Sequence, residues 1–234
     1  VVAFYTCYAL LLKEMRRLGY GDKLASDILT AAAIGGIVGS KIYYLLENFD
    51  RVLGDPTGMI FSGAGLVFLG GLMGGMIAVS WYVYRNKLNW LKVADWVAPF
   101  LILGHGIGRI GCFLVGDDYG IPSNLPWACA FPQGLPPTNT PVHPTQLYEM
   151  FAYFTIFFYL RYCKRNQQFS GELMFKYLIL GGFARFMIEI LRTNTKYLFG
   201  LSGAQYISII MMLIGIYQIY KRRHLNDALE QDVG

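Results

Sequence analysis

Long apolar stretches separated by short polar joins dominate this chain. Seven such stretches occur, at approximately 1–12, 28–46, 59–84, 93–115, 147–160, 173–191 and 201–220. A helix needs about twenty consecutive apolar residues to cross the hydrocarbon core of a bilayer. The pattern therefore predicts an all-α fold, a polytopic membrane helix bundle of about seven transmembrane helices that forms a single transmembrane domain over residues 1–234.

The joins between these stretches alternate in charge. Basic residues follow the first, third, fifth and seventh stretches; they are Lys13, Arg16, Arg17, Lys23, Arg85, Lys87, Arg161, Lys164, Arg165, Lys221, Arg222 and Arg223. Because basic joins resist translocation, the positive-inside rule places them and the C-terminus in the cytoplasm and the other joins outside. The longest of the other joins, approximately 116–146, is rich in proline and poor in charge, which predicts an ordered external cap between helices four and five.

Composition narrows the class of partner. The chain is 55% hydrophobic and 15% charged, and its formal net charge is +5. A positive charge suits nucleic acid when the basic residues form a face or stripe, whereas here they form short clusters between apolar runs. The four cysteines lack metal-ligand spacing. The sequence therefore predicts contact with the lipid bilayer, and neither a nucleic-acid partner nor a metal or cofactor.

Ionisable residues inside apolar stretches are the main candidates for function. Each costs about 2.5 to 3.5 kcal/mol on membrane insertion, so it needs a partner or a role. They are Asp95, His105 and Arg109 in the fourth stretch, and Arg185, Glu189 and Arg192 in or beside the sixth. The spacing of four and three residues places the last three on one helical face. By the predicted topology this face and Arg109 both approach the outer leaflet, where two guanidinium groups suit a phosphate.

Simpler interpretations exist for several of these residues. Arg185 and Glu189 would merely neutralise each other if the pair were structural, but this leaves Arg109 unexplained. His105 taken alone is typical of an interior histidine. Asp95 lies fourteen residues before Arg109, hence roughly 21 Å away along an ideal helix, which predicts a structural role at the cytoplasmic end.

Glycines cluster in two places. Those of the second and third stretches predict close helix packing; they are Gly35, Gly36, Gly39, Gly70, Gly71, Gly74 and Gly75. Those around Arg109 are denser than packing requires; they are Gly104, Gly106, Gly108 and Gly111. We expect the second group to open the backbone so that amide groups face an anion.

Ordered motifs across nearly the whole chain resemble those of a known family, the prolipoprotein diacylglyceryl transferases. They are DWVAPFLILG at 95–104, GRIGCF at 108–113, DDYG at 117–120, LPWA at 125–128, HPTQLYE at 143–149 and RFMIEILR at 185–192. The resemblance implies a seven-helix enzyme of the bacterial inner membrane. Such an enzyme transfers diacylglyceryl from phosphatidylglycerol to the lipobox cysteine thiol of a prolipoprotein signal peptide and releases glycerol phosphate.

The resemblance also implies roles for individual residues. Arg109 and Arg185 match the essential, catalytic arginines of the family. Substrate-binding roles are implied at the other matching positions, which are Gly70, Gly71, Gly108, Gly111, Cys112, Gly120, His143, Gln146, Tyr148, Glu149, Glu189 and Arg192.

Four positions depart from the family pattern. Cys112 stands where the family has Asn, Asp117 where it has Glu, Leu69 where it has His, and Gly181 where it has Tyr. Because Leu69 replaces the expected histidine, we expect His105 or Asp117 to serve as the substitute proton acceptor in catalysis.

The reaction does not require a strong base in place of the missing histidine. A thiol of pKa near 8.5 becomes thiolate at pH 7 for only about 2 kcal/mol, whereas charge on the departing phosphate is harder to stabilise.

Two alternatives to the enzyme remain. A non-catalytic or re-specialised paralogue of the same fold would bind phospholipid or a membrane partner, as the four departures suggest. A transporter would place polar groups at the midplane and on both sides, whereas here they gather toward one side.

Overall fold

The computed structural model of the protein describes residues 1–61 and 67–231, and within them the chain is largely helical. The helices are α1 (Val2–Arg17), α2 (Asp22–Glu47), α3 (Phe49–Gly54), α4 (Pro56–Phe61), α5 (Phe68–Arg85), α6 (Trp90–Val115), α7 (Thr145–Cys163), α8 (Glu172–Glu189) and α9 (Gly203–Gln231). Between α6 and α7 lie two short antiparallel strands, β1 (Cys129–Phe131) and β2 (Thr138–Val142). The predicted all-α class is therefore confirmed.

The long helices follow the predicted apolar stretches. Those of at least 16 residues among the described parts of the chain are α1, α2, α5, α6, α7, α8 and α9. The predicted stretch 59–84 is divided between α4 and α5, and its residues 62–66 lie outside the described residues. Within residues 1–61 and 67–231, three helices are long and apolar enough to cross a membrane: α2, α6 and Gly203–His224 of α9.

The chain forms two compact units, and the first comprises Tyr8–Val93. In it α2 and α5 pack through the predicted glycines. A Cβ atom built on Gly35 would lie 2.5 Å from the carbonyl oxygen of Gly74, and one on Gly39 would lie 2.7 Å from Gly74 Cα. No larger side chain fits at these positions without moving a backbone, so the predicted packing role of these glycines is confirmed.

The second unit comprises Val1–Cys7 and Ala94–Gly234. Its core joins α6, α7 and α8 through Ile102, Tyr153, Ile156, Leu160 and Ala184. Helix α8 also packs closely on α9, since a Cβ atom on Gly215 of α9 would lie 2.8 Å from the carbonyl oxygen of Phe175 of α8. Helices α6 and α8 carry the ionisable residues singled out in the sequence, except Arg192, which lies just after α8.

Asp95 fixes the beginning of α8 within the second unit. Its Oδ2 accepts hydrogen bonds of 2.5 Å from Gly171 N and Gln167 Nε2, and its Oδ1 accepts one of 3.0 Å from Met174 N. These backbone amides precede the first turn of α8 or belong to it, where a helix lacks internal partners for its N–H groups. Asp95 is 2% exposed, so its predicted structural role is confirmed, while its location at the cytoplasmic end stays a prediction.

Residues 116–144 connect α6 to α7 and are ordered by their own contacts. The ring of Phe131 stacks on that of Tyr119 and meets that of Phe113 edge-on, both with centroids 5.6 Å apart. Leu135 N donates to the carbonyl oxygen of Gly116 at 3.0 Å, which ties the turn after β1 to the end of α6. The segment therefore has a fixed conformation, and it leads directly to the residues described next.

Candidate active site

Two arginines from different helices meet on one buried carboxylate. Arg109 on α6 pairs through Nε with Oε2 of Glu149 on α7. Arg185 on α8 donates from Nη1 to Oε1 of the same carboxylate at 2.7 Å. The Glu149 side chain is 1% exposed, whereas those of Arg109 and Arg185 are 21% and 24% exposed. The sequence predicted that the two arginines approach each other, and the structure brings them together around this acidic partner.

A second carboxylate, that of Asp118, joins Arg109 to a third arginine. Arg109 Nη1 donates to Asp118 Oδ2 at 2.8 Å, and Arg192 Nη2 pairs with Asp118 Oδ1. Asp118 follows α6 with a left-handed backbone, at φ +61°. Burial alone raises the pKa of Asp118, but the charges of Arg192, Arg109 and Arg185 outweigh burial and hold this pKa below its ordinary value.

The third carboxylate is Glu189 at the end of α8. Its Oε2 lies 2.9 Å from Arg185 Nη2 and 3.9 Å from Arg192 Nε. Helix α8 ends at Glu189, so Arg185 and Glu189 share a helical face as predicted, whereas Arg192 lies just after the helix and still reaches Glu189. Arg185, Arg109 and Arg192 carry three positive charges and their three carboxylate partners carry three negative ones, so the cluster is formally neutral.

We call these six residues the arginine cluster; they are Arg109, Asp118, Glu149, Arg185, Glu189 and Arg192. Neutrality lets three guanidinium groups remain charged among apolar helices. Each guanidinium is a planar fork that matches the oxygens of a carboxylate or a phosphate equally well. The cluster can therefore bind a phosphate ester by exchanging carboxylate contacts for phosphate contacts.

The start of the α6–α7 connection is fastened to α7. Thr145 Oγ1 donates to the carbonyl oxygen of Asp118 at 2.8 Å, and Gln146 Nε2 donates to that of Asp117 at 2.5 Å. Both donors are 1% exposed. Gln146, which the resemblance marked as substrate-binding, thus contacts the backbone that presents Asp118 to the arginines.

Gly120 allows a close backbone approach at the same point. Its N–H donates to the carbonyl oxygen of His143 at 2.9 Å. A Cβ atom there would lie 2.6 Å from the carbonyl oxygen of Leu191, 2.8 Å from Thr145 Cγ2 and 2.9 Å from His143 Cβ. Only glycine fits between these groups, so Gly120 fixes the connection against both α7 and the end of α8.

Cys112 and Asp117 lie beside the cluster. Arg109 Nη1 contacts Cys112 Sγ at 3.6 Å. Asp117 Oδ1 is buried and has no hydrogen-bond partner among the described residues. One possible ligand atom from each of Cys112, Asp117 and Asp118 lies within 4.8 Å of the others. Because both oxygens of Asp118 already pair with arginines, and three guanidinium charges oppose a further cation, we assign no metal here.

The glycines around Arg109 behave differently from the prediction. Helix α6 runs without interruption through Gly104, Gly106, Gly108 and Gly111, so their amide groups belong to a helix and do not face an anion. The expected opening of the backbone was wrong, since helical hydrogen bonds satisfy those amides. A Cβ atom on Gly108 or Gly111 would have no heavy atom within 4 Å among the described residues, so these two glycines leave space beside Arg109.

The remaining residues of the predicted site occupy separate positions. His105 lies one turn before Arg109, and its ring centroid is 6.1 Å from that of Tyr153. His143 Nδ1 is 3.2 Å from the hydroxyl of Tyr148, which accepts a 2.7 Å hydrogen bond from Trp127 Nε1. Gly70 and Gly71, together with Leu69, belong to the Tyr8–Val93 unit, where both glycines contact α2.

One member of the cluster, Asp118, and two residues that contact it, Asn194 and Ser202, were absent from the predicted site. Asp118 stands in the DDYG motif beside the predicted Asp117, but only the backbone conformation shows which carboxylate faces the arginines. Asn194 and Ser202 bind Glu189 at 2.6 and 2.7 Å. The signal that marks Ser202 in the sequence is the pattern Ser-x-x-Gln before an apolar run, a helix N-cap.

A helical fold with membrane-spanning helices and a neutral cluster of arginines and carboxylates defines a membrane protein with a site suited to a phosphate ester. The sequence model of the prolipoprotein diacylglyceryl transferase family matches residues 1–221, and the chain belongs to this family.

Several curated relatives carry the same name. A phosphatidylglycerol–prolipoprotein diacylglyceryl transferase of Clostridium tetani is 35% identical over 212 residues, which cover 89% of this chain and 84% of the relative. A second one, of Clostridium perfringens, is 34% identical over 95% of this chain and 89% of the relative. That of Vibrio vulnificus is 36% identical over 90% of this chain and 80% of the relative. The similarity therefore extends over most of each protein.

Proposed function

We propose that this protein transfers a diacylglyceryl group from phosphatidylglycerol to the lipobox cysteine thiol of a prolipoprotein and releases glycerol phosphate. Its membership of the family supports the proposal, as do the names of the relatives, which give phosphatidylglycerol and prolipoprotein as substrates. The protein is accordingly an enzyme, a phospholipid-dependent transferase that forms a thioether.

The observation that carries the proposal is the shared contact of Arg109 and Arg185 with Glu149. Two cations held this close form a ready site for a second anion, and a phosphodiester is the anion that phosphatidylglycerol supplies. When the phosphate enters, guanidinium N–H groups turn from the carboxylate to phosphate oxygens. Arg192 completes the site, since it lies 3.7 Å from Glu149 and also pairs with Asp118.

The arginines act on the leaving group. The thiol sulfur attacks the glyceryl carbon that carries the phosphate, a carbon–sulfur bond forms, and the carbon–oxygen bond breaks. The electron pair of that bond stays on the phosphate oxygen, which leaves as glycerol phosphate with one more negative charge. Preorganised donors aimed at such developing charge usually contribute more to the rate acceleration of an enzyme than any other single effect.

The thiol proton goes to a group beside the cluster. Asp117 suits this role because its buried Oδ1 has no hydrogen-bond partner in the described part of the chain. His105, one turn before Arg109, is the alternative acceptor. Neither has to be a strong base, since forming the thiolate costs only about 2 kcal/mol at pH 7.

The other matching positions are proposed to surround the substrates. Gly108 and Gly111 leave space beside Arg109 for the glyceryl group or the acceptor thiol. The further members of this set in the second unit are Cys112, Gly120, His143, Gln146, Tyr148, Glu149, Glu189 and Arg192. Gly70 and Gly71, in the Tyr8–Val93 unit, are proposed as substrate-binding from the family resemblance alone.

The topology proposed with this function has seven transmembrane helices in a single domain of the bacterial inner membrane. The C-terminus is cytoplasmic, residues 116–146 form an external cap, and the active site faces the outer leaflet. The ends of three helices support this arrangement, because Arg17 ends α1, Arg85 ends α5 and Arg161 lies in the last turn of α7.

Direct assay of transfer tests the proposal. The purified protein is incubated with phosphatidylglycerol and a lipobox peptide, and mass spectrometry detects the thioether product and glycerol phosphate. A matched peptide with serine in place of the lipobox cysteine is the control and should remain unmodified. If phosphatidylglycerol binds but no lipobox peptide is modified, the non-catalytic or re-specialised paralogue replaces the enzyme as the better explanation of the four departures.

A further inference from the structure

Glu189 is held from two sides. Its Oε2 faces the arginines, at 2.9 Å from Arg185 Nη2 and 3.9 Å from Arg192 Nε. Its Oε1 accepts hydrogen bonds from Ser202 Oγ at 2.7 Å and Asn194 Nδ2 at 2.6 Å. One carboxylate oxygen therefore belongs to the arginine cluster, and the other belongs to two neutral donors in the segment between α8 and α9.

Ser202 is placed for this contact by the beginning of α9. Gln205 N donates to Ser202 Oγ at 3.3 Å, and Ser202 N donates to Gln205 Oε1 at 2.9 Å, which is a reciprocal helix cap. Both residues are buried. Because the hydroxyl oxygen accepts the backbone N–H, its own hydrogen is available to Glu189.

The segment between α8 and α9 has defined geometry in the described structure. Lys196 forms an antiparallel bridge with Ser202, and Tyr197 N donates to the carbonyl oxygen of Leu201 at 2.8 Å. Leu191, near its start, accepts a 2.8 Å hydrogen bond from Ile121 N. The two donors to Glu189 thus stand on backbone that is fixed before any substrate arrives.

We propose that Ser202 and Asn194 are positioning residues for the transfer reaction, which hold Glu189 so that it keeps Arg185 in the orientation required by the departing phosphate. The inference rests on the proposed function. If Glu189 rotated away from Arg185, its Oε1 would lose both of its hydrogen bonds. Hydrogen bonds to a charged group are stronger than those between neutral groups, so this rotation is opposed. A small misplacement of a catalytic donor is enough to slow a reaction substantially.

The main test is Ser202→Gly in the full chain, assayed with phosphatidylglycerol nanodiscs and a lipobox peptide. Glycine is a tolerated N-cap, so the variant keeps α9 but removes the hydroxyl. We expect kcat to fall about tenfold, as for the loss of one hydrogen bond to a charged group. KM for phosphatidylglycerol should change less, because Arg185 acts mainly on charge that develops in the transition state. Ser202→Thr keeps the hydroxyl and should restore kcat.

Asn194 provides a second test, since it is exposed and its replacement leaves the core intact. Asn194→Ala removes a donor and should lower kcat. Asn194→Asp places a second carboxylate where the amide now lies 2.6 Å from Glu189, so repulsion should lower kcat further. If Asn194 had only a structural role on the surface, kcat would not fall further from Asn194→Ala to Asn194→Asp.

The matched control is Gln205→Ala. It removes the capping partner of Ser202 but leaves the hydroxyl to Glu189, so we expect a lower Tm with a wild-type kcat. A wild-type kcat in both Ser202→Gly and Asn194→Asp overturns the inference. Equal losses of kcat in Ser202→Gly and Gln205→Ala also overturn it, because Ser202 would then act only as the cap of α9. An inactive unmodified protein overturns the proposed function instead.

Discussion

Arg185 and Glu149 form a 2.7 Å ion pair between α8 and α7, with the carboxylate almost wholly buried. The same carboxylate also pairs with Arg109 on α6, so one negative charge holds two positive ones from different helices. Without Glu149, the two guanidinium groups would repel each other in surroundings of low polarity. The shared carboxylate therefore keeps the two guanidinium groups close together, and under the proposed function the binding of phosphatidylglycerol is an exchange of one anion for another.

Replacement of Glu149 by glutamine should destabilise the protein. Removing one partner of a buried ion pair leaves uncompensated charge and costs about 3 to 5 kcal/mol in soluble proteins. Thermal unfolding in detergent should show a large drop in Tm for Glu149→Gln. Inorganic phosphate should recover part of it, because an added anion takes the place of the carboxylate. A surface variant such as Glu47→Gln is the control. An unchanged Tm for Glu149→Gln would contradict the stabilising role of the shared carboxylate, and a Tm that phosphate does not raise would contradict the exchange of anions.

Replacing Arg109 or Arg185 with lysine should abolish or severely reduce transfer while the protein still folds and inserts. Lysine keeps the charge but lacks the planar fork. Loss of such a transition-state donor costs about 2.7 to 4 kcal/mol, or roughly a hundredfold to a thousandfold in rate. The control is His105→Gln, which should cost much less. Near-normal transfer by Arg109→Lys together with an inactive His105→Gln would mean that base catalysis dominates.

The sequence predicted those parts of the site that follow from helical periodicity. The spacing of Arg185 and Glu189 predicted one helical face, and the structure shows them in contact. Arg192 was predicted on the same face, but it lies after the end of α8 and reaches Glu189 from there. The sequence did not identify Asp118, since its neighbour Asp117 is chemically equivalent and a left-handed φ at Asp118 decides which side chain meets Arg109.

Other parts depended on tertiary structure alone. Glu149 lies in a sequence motif. However, two arginines share its carboxylate only because α6, α7 and α8 pack together. Glycine density around Arg109 suggested an opened backbone, whereas α6 is continuous there. Density of small residues does not distinguish a broken helix from one with free space beside it, because glycine permits both.

Acid should weaken the cluster through Asp118. Arg192 and Arg109 hold the pKa of Asp118 below its ordinary value in the folded protein. A lowered pKa in the folded state stabilises the protein above the unfolded pKa, near 3.9, and this stabilisation is lost as pH falls toward the folded pKa. Unfolding of the wild type and Asp118→Asn between pH 2 and 5 should show a steeper acid loss in the wild type. Parallel curves would contradict the assignment.

Reporter fusions should place the joins near Arg17, Arg85 and Arg161 and the C-terminus in the cytoplasm. Each of these arginines lies at or near the end of a long helix, where basic residues oppose translocation. Fusions within residues 116–146 should report an external position. An external C-terminus would overturn the proposed topology and with it the placement of the active site at the outer leaflet.

Of two glycines beside the cluster, only Gly120 should lower Tm when it is replaced by alanine. At Gly120 a methyl group would come within 2.6 Å of the carbonyl oxygen of Leu191, so Gly120→Ala must displace backbone and should lower Tm together with transfer. At Gly108 a methyl group meets no heavy atom within 4 Å among the described residues. Gly108→Ala should therefore keep the wild-type Tm.

Transfer by Gly108→Ala then tests what the space beside Arg109 is for. If lipid or acceptor thiol occupies that space, the methyl group lowers kcat/KM in a folded protein, and the loss should grow from Gly108→Ala to Gly108→Val. If the space only faces the bilayer, both variants transfer at the wild-type rate, since hydrocarbon chains accommodate a methyl group readily. Tm and kcat/KM measured on the same preparations separate these outcomes, because only a substrate-binding role lowers activity while leaving stability unchanged.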